Sequence, residues 1–522
     1  MKSIVALLFP LFLGINFMLQ GNPTPQSAVI DTPCVIVIFG ATGDLTARKL
    51  LPAIYNLAHG GHLSQHTAVV AFARGEHTHE TFRKRMGEAI EQFSRTKLRD
   101  VDFWSDFENK IFYNQSDFEQ DHGYENLQEL LWKIDQEFGT QGNRIYYLAT
   151  PASHFPAIIK KLYEHNLVYN SKNTNEKWSK VIIEKPFGND LDSAMDLQKD
   201  ISKYLNEDQV YLMDHYLGKE GVQNLLTFRF ENALFEPLWN NKHIDNIQIT
   251  LSEDIGIGTR AHFWEETGSL RDVFQNHLMQ LLAIIAMESP VSLSASHIHE
   301  EKIKVLNAIR PFPLKEMDSY VIRGQYGSGE INGMKVPGYK QEKGVSVDSS
   351  SETFIAAKIF IDNVRWEGIP FYIRAGKRLP KQTTEIVVTF KNRNPEINQA
   401  VSNALFIRIQ PNTSIYLKTL SKVPMLSKNI RPVLFGYNSD SFFKTSSPEA
   451  YEKLFYDCIK GDLSLYVEAE EQLAAWRLLT PVLNYWKSQS ENIKNYDAGT
   501  WGPLNVDKML LENGHHWQLL EN

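Results

Sequence analysis

The sequence predicts two joined units: a doubly wound α/β domain over 31–212, and a larger α+β domain over 213–522 built on a mixed or antiparallel sheet. Three observations carry this expectation. From Val35 onward, short apolar runs alternate with stretches of helical spacing, which is the pattern of repeated βαβ units. A glycine-bearing turn stands where the first run gives way to the first helix. After residue 212 the texture changes, and strand-like segments follow one another with fewer helices between them.

The elements can be justified in order. Val35 to Phe39 is a continuous apolar run, as expected of a strand buried on both faces of a parallel sheet. Leu45, Leu50, Leu51, Ile54 and Leu57 then follow helical spacing. Ala68 to Ala73 reads as the second strand and His79 to Phe93 as the second helix. Ile111 to Tyr113, Ile145 to Leu148 and Val181 to Ile183 are further strands, separated by helices over Tyr124 to Phe138, Phe155 to His165 and Leu191 to Tyr204. In the second unit Asn246 to Ser252, Phe354 to Ile361, Glu385 to Lys391 and Ala404 to Gln410 are strand-like. Ser269 to Met287 is its main helix, with Leu270, Val273, Phe274, His277, Leu278, Leu281 and Ile285 on one face. Gly327 to Ser351, rich in Gly, Lys and Ser, is expected to be a surface loop.

Composition narrows the function classes. With 54 Lys and Arg against 62 Asp and Glu, the net charge of −8 argues against a nucleic-acid partner. Two cysteines, Cys34 and Cys458, supply neither a disulfide framework nor a four-ligand zinc site, and no metal centre is expected. Residues 1–30 stand apart: Ile4 to Leu19 is almost wholly apolar, follows Lys2, and leads into the Pro/Gln/Asn-rich Gly21 to Ser27. At about 16 residues the run is short of the roughly 20 a membrane span needs. Two readings stand for it, a weak secretory signal or an unfolded leader from an upstream start. No stable membrane insertion is expected.

Gly40-Ala41-Thr42-Gly43-Asp44-Leu45 occupies the turn between the first strand and helix. Glycine there lets backbone N–H groups approach a pyrophosphate, and the helix N-terminus favours its charge. The first unit is therefore read as a Rossmann-like dinucleotide-binding domain. The second strand ends in Ala73-Arg74, and an arginine at that place pairs with the 2′-phosphate of NADP. Glu76 close by leaves some NAD use open.

Two stretches are hard to explain as packing alone. Glu184-Lys185-Pro186-Phe187-Gly188 follows an apolar strand, which puts Lys185 at a strand's carboxyl end, where ligands of open α/β sheets collect. Asp214-His215-Tyr216-Leu217-Gly218-Lys219-Glu220 places five polar or titratable groups within seven residues. With RDVFQNH at 271–277, PFYIRAGKRLPK at 370–381, FEPLWN at 235–240, SEDIGIGTR at 252–260 and RIQP at 408–411, the chain resembles the glucose-6-phosphate 1-dehydrogenase family from about 34 to about 485.

That resemblance implies NADP-dependent oxidation of glucose 6-phosphate at C1 to 6-phosphogluconolactone, the first step of the oxidative pentose phosphate pathway. His277 would be the base that takes the C1 hydroxyl proton, and Asp214 would hold its other ring nitrogen. His215, Tyr216 and Lys219 would hold the 6-phosphate, two of them as potential cations. Lys185 would orient sugar and nicotinamide, with its bond to Pro186 cis as in relatives. Glu253, Asp272 and Lys377 match substrate contacts, and Tyr147 a coenzyme-side position. Arg74, Lys185, His215, Lys219 and Lys377 are thus expected to converge on one cleft.

The chain also departs from the family. Thr46 replaces a usual alanine, and Gln382 stands at a commonly basic position, with Lys381 beside it. Animal members carry a second, structural NADP in the sheet domain. Arg408, Tyr416 and Lys418 match part of that set, but Thr383 and Val387 stand where bases are needed, so this nucleotide is expected to be absent or weak. Relatives form dimers or tetramers through the large sheet, and a homodimer or homotetramer is expected here. A cytoplasmic location is expected, because NADP and hexose phosphates are cytosolic pools, although the leader leaves export open. The competing readings are an oxidoreductase of the glucose–fructose type and a catalytically silent sugar-phosphate sensor or exported binding protein.

Overall fold

A computed structural model of the chain describes residues 31–169, 177–392, 402–426, 429–489 and 493–520. The readings of residues 1–30 lie outside these. The first sheet is wholly parallel, with strands β1 Val35–Phe39, β2 Ala68–Ala73, β3 Ile111–Gln115, β4 Arg144–Leu148, β5 Ser179–Glu184 and β6 Val210–Met213 in the order β3-β2-β1-β4-β5-β6. All five residues of β1 are completely buried, as are nearly all of β2 and β4, which is why these runs are apolar throughout rather than alternating. Each such aliphatic side chain contributes about 1.5–3 kcal/mol on burial.

The helices His79–Phe93, Asp121–Phe138, Phe155–Glu164 and Leu191–Ser202 match the expected ones within a few residues. In this first domain the helix Val101–Glu108 and the four-residue edge strand β6 were not anticipated. Because β6 runs through Met213, a division after 212 cuts that strand one residue short of its end.

The second sheet is mixed and has nine strands. They are β7 Ile244–Ser252, β8 Val321–Gly327, β11 Phe354–Ile359, β12 Phe371–Gly376, β13 Thr383–Phe390, β14 Ala404–Gln410, β15 Ser414–Lys422, β16 Ile430–Asn438 and β17 Lys494–Asp497. The order is β16-β15-β14-β13-β7-β12-β11-β8-β17, antiparallel except at β12/β7 and β17/β8. The expected loop over 327–351 contains a small hairpin, β9 Gly329–Ile331 with β10 Met334–Val336.

The predicted helix over Ser269 to Met287 is broken into pieces. A helix Ala261–Ser269 leads into a widened π-helical stretch, Leu270–Leu278, and a regular helix Met279–Ala286 follows. The break is tertiary in origin. Gly268 takes a left-handed φ of 62°, a Cβ there would meet the Glu352 carboxylate at 2.4 Å, and that same carboxylate accepts from the Leu270 N–H at 2.9 Å. π-Helical turns recur at functional sites because they re-aim side chains. This one carries Asp272 and His277.

The C-terminal segment lies on the large sheet near β12–β15. Trp517 and Trp501 flank the buried Arg374 guanidinium at 4.0 and 4.7 Å. The Leu520 carbonyl accepts from Arg408 at 2.8 Å, and Gln518 accepts from Lys418 at 3.0 Å. Two groups that match the family's structural nucleotide site are therefore engaged by the chain itself.

Candidate active site

Strand register brings together two pairs of the expected residues, one at an edge of each sheet. In the parallel pair β5/β6, Glu184 lies beside Met213, so the next residues, Lys185 and Asp214, emerge side by side at the strands' carboxyl ends. In the parallel pair β12/β7, Gly376 lies beside Ser252, so Lys377 and Glu253 emerge together, and their side chains meet at 2.6 Å. The π-helical stretch supplies the remaining pair. Asp272 binds the Lys185 ammonium through its side chain at 3.0 Å and also through its carbonyl, and the His277 Nδ1 meets Asp214 Oδ1.

The Asp214–His277 pair is sealed from water, at 0% and 2% exposed. Asp214 Oδ1 also accepts from the Tyr216 N–H at 2.9 Å, while Oδ2 makes no hydrogen bond. The Tyr216 ring stacks on the His277 ring at 4.2 Å, and the His215 ring stands edge-on to it at 4.7 Å. The Lys219 ammonium sits 3.5 Å from the Tyr216 ring centre and contacts Gln410.

The charges follow from this crowding. Burial raises the Asp214 carboxyl, an effect that His215 and the Tyr216 N–H partly offset. Burial pushes His277 well below its ordinary value, and the Lys185 ammonium pushes it the same way. Burial also drives His215 well down, helped by His277 and Lys219, and lowers Lys219 to about 7. Asp272 goes the other way: burial works to raise it, but Lys185 and Lys377 hold it at about 2. His215 is therefore neutral at neutral pH and Lys219 only partly charged.

At the same carboxyl edge of the parallel sheet, Gly40 closes β1 with φ 81°, and its N–H donates to the Phe72 carbonyl at 2.9 Å. A Cβ on Gly40 would meet the Ala149 carbonyl oxygen at 2.4 Å, so only glycine fits where β1, β2 and β4 end together. Thr42, Gly43, Asp44 and Leu45 continue the turn, which Arg85 braces by donating to the Thr42 carbonyl at 2.7 Å, and Ala41 is buried beneath it. Thr46 lies fully buried, its hydroxyl without a hydrogen-bond partner. A Gly40→Ala variant is expected to lose about 2–4 kcal/mol of stability and to raise the KM for NADP. Urea unfolding and coenzyme titration check both.

Two expected residues sit differently. Arg74 extends from the end of β2 with its side chain 67% exposed and only a 3.8 Å contact to Asp117. It makes no contact with the other four basic residues among the described residues. Tyr147, expected on the coenzyme side, is completely buried inside β4. Its hydroxyl donates to Glu184 at 2.5 Å and its ring packs on Phe455, as both faces of β4 are covered.

Some contributing residues were not singled out in the sequence. Glu184 is buried under the hydroxyls of Tyr147 and Tyr451, and its pKa is raised by burial. Gln410 binds both Lys219 and the Tyr216 hydroxyl, and Glu352 sets the break before the π-helical stretch. Glu184 and Gln410 did carry a signal, since they lie in the EKPFG and RIQP stretches. The Lys185–Pro186 and Gln410–Pro411 bonds are both cis.

Asp214, His215 and His277 also bring ligand atoms within 4.8 Å of one another, a spacing a cation can use. With Nδ1 of His277 committed to Asp214 and two lysines beside the group, an acid–base pair suits the geometry better.

Comparison with known proteins decides the family. Residues 37–224 match the family model described as the glucose-6-phosphate dehydrogenase NAD binding domain, and residues 226–518 match that of its C-terminal domain. The chain belongs to the glucose-6-phosphate dehydrogenase family. The glucose-6-phosphate 1-dehydrogenase of Chlamydia muridarum (strain MoPn / Nigg) is 48% identical over 494 residues, covering 93% of this chain and 97% of that protein. That of Bacillus subtilis (strain 168) is 41% identical over 488 residues, covering 92% and 98%. A solved structure, glucose-6-phosphate dehydrogenase in complex with its substrate glucose-6-phosphate, superposes with a TM-score of 0.85 at 34% identity, covering 94% of this chain and all of that one. This membership disfavours the glucose–fructose type of oxidoreductase.

Proposed function

We propose that the chain oxidises D-glucose 6-phosphate at C1 to 6-phospho-D-glucono-1,5-lactone with formation of NADPH, as the first step of the oxidative pentose phosphate pathway. The observation that carries this is the sealed Asp214–His277 pair standing beside Lys185 where β5 and β6 end together. The exposed Arg74 past β2 and the Gly40 turn at the same sheet edge fit an NADP molecule, whose 2′-phosphate the arginine would hold. When bound, the nicotinamide supplies the acceptor for the C1 hydride.

His277 works as the base. Donating Nδ1–H to Asp214 leaves Nε2 unprotonated, free to take the C1 hydroxyl proton. The Asp214 carboxylate stabilises the imidazolium that forms. Lys185, held by Asp272, orients the sugar. Glu253, Asp272 and Lys377 hold its hydroxyls, while His215, Tyr216 and Lys219 hold the phosphate, whose negative charge draws protons back onto Lys219 and His215.

The test is NADPH formation by the purified chain, with glucose 6-phosphate set against unphosphorylated glucose and NADP against NAD. Reaction with glucose 6-phosphate and NADP is expected. Its absence overturns the proposal.

A pH dependence follows from the lowered His277. The base must be neutral, so the acid limb of kcat/KM is expected only as pH drops through a value below 6.5, while an alkaline limb is expected as Lys219, lowered to about 7, loses the proton with which the free enzyme meets the phosphate. A Lys185→Met variant removes one cause of the lowering. Its acid limb should therefore move to higher pH, whatever its effect on the rate. A pH–rate profile of the two proteins checks it.

We also propose self-association through the β15–β16 edge, where Ile430, Leu434, Phe435, Phe442 and Phe443 stay exposed in the single chain. Light scattering should find a dimer or tetramer. No helix among the described residues is long and apolar enough to cross a membrane, and a cytoplasmic location fits the substrate pools.

A further inference from the structure

Behind the catalytic strands lies a second cavity of about 780 Å³, large enough for a small organic molecule and lined by none of the proposed site residues. Its walls come from the helix Leu191–Ser202, from β6, and from the starts of the helices Ala295–Asn307 and Ala469–Ser488. The floor is apolar and buried, formed by Ile201, Leu205, Leu212, Tyr466 and Val467. The lining contains four carboxylates, Glu207, Asp208, Glu468 and Glu470, and no lysine or arginine. Glu470 pairs with Arg477 outside the cavity, whereas Glu207, Asp208 and Glu468 form no salt bridge among the described residues.

The one basic group in the lining, His299, is already held by the buried Glu471 at 2.6 Å, and Glu471 is also bound by Lys302 at 2.7 Å and Gln280 at 2.9 Å. That inner cluster has its own cation, so it does not call for a metal ion. Glu468 stands beside that cluster, its carboxylate within 4.8 Å of His299 and Glu471, whereas Glu207 and Asp208 form no ion pair among the described residues. An anion would meet their repulsion, and a neutral apolar molecule would leave their field unanswered.

We propose that this cavity is a binding site for a small amphiphilic organic cation, with its ring or chain on the apolar floor and its ammonium among Glu207, Asp208 and Glu468. The cavity touches β6, which leads to Asp214, and the turn after β5 that carries Lys185. Val467 donates to the Leu212 carbonyl of β6 at 2.9 Å, two residues before Asp214. Gln472 and Trp476 both donate to the Phe187 carbonyl, two residues after Lys185. Filling the cavity therefore bears on the positions of Lys185 and Asp214 without blocking the sugar site.

The experiment is calorimetric titration of the full chain with three molecules of one shape: tryptamine, neutral tryptophol and anionic indoleacetate. Tryptamine should bind about tenfold more tightly than tryptophol, and indoleacetate most weakly. A variant combining Glu207→Gln, Asp208→Asn and Glu468→Gln should erase the preference while keeping tryptophol binding and basal activity. Ala469→Phe, which intrudes on the floor, should weaken all three molecules. Bound tryptamine should alter kcat/KM for glucose 6-phosphate without competing with it. Equal affinity for amine and alcohol, a preference that survives the charge variant, or competition with the sugar phosphate would each overturn the proposal. So would no saturable binding, which together with a change of oligomeric mass in the charge variant would assign this face to a second copy of the chain.

Discussion

Replacing His277 with Asn is expected to lower kcat by about 10²–10⁴-fold or more while leaving the KM for glucose 6-phosphate within a fewfold of its starting value. The reasoning rests on the division of labour within the site. His277 is fully enclosed, with Nδ1 committed to Asp214, and its low proton affinity keeps the other ring nitrogen free at neutral pH. The proposed phosphate group, by contrast, is built from His215, Tyr216 and Lys219. An amide fills similar space but cannot carry the proton away. Steady-state kinetics separate the two parameters, and equal kcat values in the two proteins would remove His277 from the chemistry.

The second large effect is expected from Asp214→Asn. The carboxylate accepts from both the His277 ring and the Tyr216 N–H and has no other neutralising hydrogen bond. Removing its charge costs the imidazolium its counter-ion in a buried site, which should lower kcat by about 10²–10⁴-fold. Because the two residues act as one unit, adding Asp214→Asn to His277→Asn should produce little further loss. Multiplicative losses in the double variant would show that Asp214 acts by another route.

Much of the fold was legible because the first sheet is buried on both faces. Runs such as Val35–Phe39 and Ala68–Ala73 are apolar for that reason, and the helix His79–Phe93 stands out between polar turns. The edge strand Val210–Met213 was not visible, since four residues carry too little period to separate them from a loop. Nor was the break at Gly268, because its cause is Glu352, more than eighty residues away in sequence and adjacent only in space. The loop over 327–351 hid a hairpin of two three-residue strands for the same reason as β6.

The site shows a similar division. Lys185 beside Asp214 and Lys377 beside Glu253 are consequences of strand register, and of these the strand-end position of Lys185 was legible from the apolar run before it. The burial of Tyr147 was not foreseen, although every residue of β4 lies inside the sheet's two covered faces. The neutrality of His215 could not be read either, since it depends on His277 and Lys219 closing around it.

The measurement that bears most directly on the central claim is reaction of the purified chain with NADP and glucose 6-phosphate carrying deuterium at C1. The expected result is NADPH that contains the deuterium, formed together with the phosphogluconolactone. Failure to form NADPH, or retention of the deuterium in the sugar product, would contradict oxidation at C1 by this site.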